Sequence, residues 1–142
     1  MAFRLQMSLE GETQIDRILG IAVQGVTDFR EPLQASKVII MDRVEQNFDR
    51  RGALFGGWTP RKKDKPWPLL EQTGKMRRSF TSDVSATQLR VGNSDDKFKY
   101  HQSNKARTKI PRRVMLAIDE PSAILITKAF QLYLVTLMRG NK

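Results

Sequence analysis

Residues 69–92 read LLEQTGKMRRSFTSDVSATQLRVG and contain the signals for a turn and a pair of strands. Within it, Thr73-Gly74 predicts a turn, because glycine adopts positive φ angles at low cost and can redirect the chain. The segments 79–84 and 88–91 predict two strands, and only three residues lie between them. Two strands joined by so short a turn indicate an antiparallel pair.

Upstream of this stretch, the pattern predicts one strand and two helices. Apolar and polar residues alternate over 3–9, which is typical of a strand with one buried face. Residues 12–28 carry apolar side chains at helical spacing along one stripe. Pro32 suits the first turn of a second helix, which residues 50–52 end. The two helices form either a hairpin or one long helix broken at Pro32.

Downstream, residues 113–118 predict a further strand, and Asp119 is expected to cap a final helix with Pro121 in its first turn. The predicted order is β-α-α-β-β-β-α. This order indicates one α+β domain over residues 1–142, with an antiparallel sheet packed against three helices. The final helix is apolar around most of its circumference. It therefore lies between the sheet and the other helices, or one side meets a second subunit.

Two long loops are expected within this domain. Residues 52–74 hold four glycines, three prolines and the basic run RKKDK, which no regular element tolerates. A loop of this length in a compact domain is usually functional or disordered. Residues 93–109 predict a second loop, which is polar and basic.

The positive charge is concentrated in the middle of the chain. The formal charge is +10, and residues 50–113 hold 17 Lys or Arg against 5 Asp or Glu, a net charge of +12. This surface suits a polyanion or an acidic protein neighbour. There is no cysteine, which excludes disulfides and thiolate zinc sites and fits a reducing compartment. We expect a soluble protein without a signal peptide or membrane contact, since the longest apolar stretch is interrupted by polar residues.

The sequence offers little for catalysis. His101 is the only histidine, and the nearest acidic residues are Asp95 and Asp96 in a Gly-Asn-Ser-Asp-Asp run that predicts a turn. No metal-ligand spacing, nucleophile elbow or Gly-rich phosphate loop is present. We therefore expect no enzyme activity, no catalytic residue and no cofactor.

Six short motifs occur in a fixed order between residues 47 and 113. Together they resemble the phage virion morphogenesis family, the tail-completion proteins of contractile-tailed phages and prophages. The motifs are Asn47-Phe48, Gly57-Trp58-Thr59-Pro60, the 69–80 segment with Thr73-Gly74, Val91-Gly92, His101-Gln102 and Ile110-Pro111-Arg112-Arg113.

The resemblance implies a structural protein that acts where the finished tail tube meets the head-tail connector. Subunits of this kind assemble as rings, commonly sixfold, around the DNA channel. Tail-tube and connector proteins are the implied partners, and DNA contact would not be sequence-specific. The implied location is the bacterial host cytoplasm during assembly and then the tail or neck of the virion. The positions implied to be structural are Thr73, Gly74, His101, Gln102, Pro111 and Arg112.

Contacts to these partners are predicted for the loop residues, where we expect an exposed tryptophan. Aromatic side chains provide anchoring contacts and basic ones provide charge complementarity. The predicted anchors are Phe55, Trp58 and Trp67, and the predicted basic contacts are Arg61, Lys62, Lys63, Arg77 and Arg78. Within the scaffold, His101-Gln102 is expected to hold the basic loop through backbone hydrogen bonds. Pro111 is expected to direct Arg112 and Arg113 into a strand, on opposite sides.

Two other hypotheses compete with this one. A nucleic-acid-binding module is favoured by the basic middle segment with its interleaved aromatic residues, although no helix-turn-helix is visible. It predicts a steeply salt-dependent affinity for DNA. A small metal-dependent hydrolase or nuclease would use His101 with Asp95 or Asp96, and predicts that His101→Ala abolishes an activity while the fold stays intact.

Overall fold

In the computed structural model, the structure describes residues 4–8, 28–102 and 111–140. The predicted helix over 12–28 lies almost entirely outside the described residues, as do positions 103–110 of the predicted basic loop. The described strands are β1 (Arg4–Ser8), β2 (Phe80–Val84) and β3 (Gln88–Asn93). The described α-helices are α1 (Arg30–Asp49), α2 (Lys75–Arg78), α3 (Phe98–Gln102) and α4 (Glu120–Gly140), and a 3-10 turn covers Ala53–Phe55.

The three strands form one antiparallel sheet in the order β1-β3-β2. Leu5 pairs with Val91 on one side of β3, and Ser82 pairs with Val91 on the other. Leu89 and Val91 are buried, whereas Arg90 between them is exposed. This alternation places one face of the central strand on the core. The predicted antiparallel pair of strands is confirmed.

Helix α1 lies between the sheet and α4. It packs against both α4 and strands β2 and β3. Its buried apolar residues share one face at spacings of seven and four, as an amphipathic helix requires. They are Leu33, Ile40, Val44 and Phe48.

Helix α4 begins as the sequence predicts. The Asp119 carboxylate accepts hydrogen bonds from the Ser122 backbone N–H (3.2 Å) and hydroxyl (2.5 Å), and Pro121 stands in the first turn. The same carboxylate accepts a hydrogen bond from Arg43 Nε at 2.7 Å. One aspartate therefore caps α4 and joins it to α1.

Two predictions about the middle of the chain are wrong. Residues 113–118 form no strand, because side chains of other elements, and not a neighbouring strand, form the hydrogen bonds to the backbone of 114–116. Residues 98–102, expected in a loop, form the short helix α3 around the fully buried Phe98. Helix α2 was also not predicted, although Gly74 before it does take a positive φ of 71°. Within the described residues, no helix combines the length and apolar character that a membrane crossing requires.

Candidate functional site

Residues 111–118 are the meeting point of several sequence motifs. The Gln102 side chain lies beside them and is almost fully buried. Its Oε1 accepts hydrogen bonds from the backbone N–H groups of Met115 (2.8 Å) and Leu116 (3.1 Å), and its Nε2 donates to Leu116 O (2.6 Å). The Gln102 side-chain amide thus forms the backbone hydrogen bonds that a neighbouring strand would otherwise provide. The prediction of backbone hydrogen bonds for Gln102 is confirmed, but the segment held is 115–116.

A second set of side chains holds the same segment from the other side. The Val114 carbonyl oxygen accepts hydrogen bonds from Trp58 Nε1 at 2.8 Å and from Asn47 Nδ2 at 3.2 Å. The Asn47 Oδ1 in turn accepts from the backbone N–H of Leu54 at 3.1 Å. Helix α1, the central loop and the 111–118 segment are therefore connected through partly buried hydrogen bonds.

Trp58 is not the exposed contact that the sequence predicts. Its side chain is buried, and its ring packs edge-on against Phe48 at a centroid distance of 5.2 Å. Gly52 lies against the indole face with a φ of 86°. A β-carbon on Gly52 would stand 2.3 Å from the ring, so only glycine fits there.

Arg77 forms ion pairs with other residues of the domain. Its guanidinium lies 2.7 Å from carboxylate oxygens of Glu45 and Asp49, and 2.9 Å from one of Glu71. It also stacks over the Phe48 ring at 5.5 Å. Hydrogen bonds to Glu45 and Asp49, and then to Glu71, raise the pKa of Arg77 well above its ordinary value, against the effect of burial. Three carboxylates within the domain therefore already pair with the charge of Arg77, and its contact with a partner stays a prediction.

The other predicted contact residues lie at or near the surface. Lys62, Lys63 and Arg78 are exposed, while Phe55, Arg61 and Trp67 are half-buried. Arg61 donates hydrogen bonds to the carbonyl oxygens of Lys65 and Trp67, which fixes the basic run in place. Arg78 donates to Thr73 O at 3.0 Å, and Thr73 Oγ1 accepts from the Lys75 backbone N–H at 3.2 Å.

A cleft of about 520 Å³ opens beside this framework. Four of its cationic side chains come from separate parts of the chain, and two carboxylates face them. The cations are Arg61, Lys75, Lys97 and Arg113, and the carboxylates are Asp95 and Asp96. Apolar walls are provided by Trp67, Leu69, Leu70 and Met76.

His101 lines this cleft, and its Nδ1 is buried without a hydrogen-bond partner in the part of the chain that the structure describes. Burial, followed by the charge of Arg113, lowers the pKa of His101 to about 4, although Asp95 acts in the opposite direction. The imidazole is therefore neutral at neutral pH, with one ring nitrogen able to donate and the other to accept.

Arg113 is the buried cation of the cleft. Its Nε donates to Thr59 O at 2.9 Å, and no carboxylate pairs with it among the described residues. Burial and the neighbouring Arg61 both lower the pKa of Arg113. Arg112, in contrast, is exposed, although its Nε donates to Gln102 O at 3.3 Å. The two arginines thus take opposite environments without forming a strand.

The described side chains around Asp95 form a turn and no metal centre. Asp95 Oδ1 accepts the Lys97 backbone N–H at 2.8 Å, and the Asp95 N–H donates to Asn93 Oδ1 at 2.8 Å. These contacts form the turn that the sequence predicts. No group of three metal-ligating side chains occurs among the residues that the structure describes.

Comparisons of this chain with protein-family models, with curated proteins and with solved structures found no match.

Proposed function

We propose that this protein is a structural subunit of a phage or prophage virion, with a role in tail completion at the head-tail junction and no enzyme activity. Support comes from how the ordered motifs are used. Asn47, Trp58 and Gln102 lie far apart in sequence, and all three hold the single segment 114–116 through hydrogen bonds to its backbone. Motif residues used in this way maintain a scaffold.

The surface that remains suits binding to other proteins of the particle. Lys62 and Lys63 are exposed on the central loop, and Trp67 is half-buried beside them. Tail-tube and connector proteins are the proposed partners, and a ring of copies around the DNA channel is the proposed assembly. The subunit assembles in the host cytoplasm and stays in the tail or neck of the virion.

The proposal is tested by deleting the gene from the phage or prophage that encodes it and supplying it in trans. We expect lysates that contain filled heads and complete tails that do not join, with infectivity restored by the wild-type protein. Electron microscopy distinguishes this outcome from a defect in head or tail formation. Deletion that leaves the yield of infectious particles unchanged would refute the proposal.

A nucleic-acid-binding role is the second candidate, and the exposed basic run is the observation in its favour. Lys62, Lys63 and Lys65 are exposed and form no ion pair within the described residues. This role predicts that the isolated protein binds duplex DNA and that affinity falls steeply with salt. Light scattering after size exclusion, with and without DNA at low and high salt, separates the two roles. A ring-sized species, or a monomer that ignores DNA, favours the virion subunit.

A further inference from the structure

We propose that the cleft beside His101 and Arg113 is a binding site for a carboxylate side chain, an Asp or Glu with an aliphatic neighbour, on an extended peptide segment of a partner protein. The inference deepens the proposed function, on which it rests for the identity of that partner. It depends on two independent observations among the described residues: the buried Arg113 guanidinium has no carboxylate partner there, and the buried His101 Nδ1 has no hydrogen-bond partner there.

The guanidinium of Arg113 is the first observation. A buried cation is costly unless a counter-charge and further hydrogen bonds accompany it. Among the described residues, the Arg113 side chain donates a hydrogen bond from Nε to Thr59 O, and burial together with the positive charge of Arg61 lowers its pKa. Arg77 shows the alternative within the same molecule, since three carboxylates surround it. Arg113 lacks such partners in the described residues and lines an open cleft.

The imidazole of His101 is the second observation. A buried polar atom without a partner is uncommon, because its desolvation is not repaid. The neutral ring can donate a hydrogen bond to a carboxylate oxygen from Nδ1, while the fork of Arg113 binds the same group. Both side chains line the same cleft, so one carboxylate could satisfy both.

The other walls of the cleft select the kind of anion. Asp95 and Asp96 line it as well, so a phosphate backbone with its many charges would meet two carboxylates. A single carboxylate fits the remaining positive charge better. Leu69, Leu70 and Met76 provide an apolar surface, which suits an aliphatic side chain next to the acid and has no use in binding phosphate. Leu70 holds a φ of 65°, an uncommon conformation for a non-glycine residue that is frequent at binding sites.

The test is an NMR titration of the full-length protein with two capped peptides, acetyl-Ala-Leu-Glu-Ala-amide and the same peptide with Gln in place of Glu. We expect saturable shifts of the His101 ring and Arg113 side-chain signals with the Glu peptide. The Gln peptide should bind at least about tenfold more weakly than the Glu peptide, because its neutral amide cannot form the charge-assisted hydrogen bonds. Absence of saturable shifts with the Glu peptide would overturn the inference.

Variants and competing anions sharpen this test. Arg113→Lys keeps the charge but loses the fork, and should weaken binding of the Glu peptide about tenfold. Since Arg113 also bonds to Thr59, Trp67→Ala is the second variant; it removes an apolar wall at the surface and should weaken binding without unfolding the chain. Lys128→Gln on the exposed side of α4 is the matched control and should leave binding unchanged.

Inorganic phosphate and a short DNA duplex are titrated in parallel. If either shifts the same signals with an affinity equal to that of the Glu peptide, the assignment to a peptide carboxylate is wrong. If the peptide does not bind, the gene-deletion experiment can still show the defect in head-tail joining. If deletion of the gene leaves infectivity normal, the peptide can still bind to the cleft. The two proposals therefore fail separately.

Discussion

Replacing Gln102 by Met should destabilise the protein strongly, although the side chain keeps nearly the same size. The substitution removes three hydrogen bonds to Met115 and Leu116, both of which are buried. Two backbone N–H groups and one carbonyl would then be buried without partners. Each such group costs about 1–3 kcal/mol, so we expect a total loss of roughly 3–5 kcal/mol once some relaxation is allowed.

Urea unfolding followed by far-UV circular dichroism measures this loss. The midpoint should fall with little change in slope, because the surface exposed on unfolding is nearly the same. The melting temperature should drop by roughly 10–15 °C in a domain of this size. Gln34→Met is the matched control, since Gln34 is exposed on α1, and it should change stability by less than about 0.5 kcal/mol. A loss below about 1 kcal/mol for Gln102→Met would show that this amide does not hold the 115–116 segment.

Three further substitutions test separate contacts. Gly56→Ala meets no atom within 4 Å and should cost only about 1–2 kcal/mol for its positive φ, whereas Gly52→Ala also overlaps the indole ring and should cost about 2–4 kcal/mol more in the same urea assay. Asp119→Asn keeps the helix cap but weakens the contact to Arg43, at roughly 1–2 kcal/mol at neutral pH. Burial acts to raise the pKa of Asp119, but the hydrogen bonds from Ser122 and Arg43 outweigh it and lower the pKa. The difference in unfolding free energy between the wild type and Asp119→Asn should therefore shrink as the pH falls below about 3.9. Folding lowers the pKa of His101 from 6.5 to about 4, so the unfolded chain takes up the proton first and the free energy of unfolding should decrease as the pH is lowered from 6.5 to about 4. In the His101→Gln variant, the free energy of unfolding should depend less on pH over this range. The same pH dependence in the variant and the wild type would contradict the prediction.

Local signals in the sequence were sufficient for the three strands of the sheet and for the start of α4. The short turn between the predicted strands 79–84 and 88–91 indicates the antiparallel pair, because a turn of this kind depends on neighbouring residues only. The same holds for the positive φ at Gly74 and the cap at Asp119. These features follow from backbone freedom and short-range hydrogen bonding, which a single sequence displays.

The 113–118 segment shows where local patterns fail. Its alternating apolar residues predict a strand, but Met115 and Leu116 are adjacent and both buried. Such burial is possible because side chains of Trp58 and Gln102, distant in sequence, take the backbone hydrogen bonds. Periodicity carries no information about such partners, so tertiary contacts override the strand pattern.

Charge patterns fail for the same reason. Arg77 belongs to a basic run and was expected to face a partner, yet Glu45 and Asp49 lie 32 and 28 residues away and pair with it. Arg113 is buried, although nothing in the local sequence distinguishes it from the exposed Arg112 beside it. Only the fold reveals that carboxylates pair with Arg77, whereas Arg113 is buried with no carboxylate partner in the part of the chain that the structure describes.

The two tryptophans of the central loop have different surroundings, one in the core and one at the cleft. The first is held in the core by Gly52 and by its hydrogen bond to Val114 O, so it fixes the beginning of the loop. The second, Trp67, lines the cleft, where its carbonyl oxygen accepts a bond from Arg61. A loop fixed at one end to the core can present basic and aromatic groups in a set arrangement at the other. Such a loop loses less conformational entropy when it binds another molecule, so even a small contact can be specific.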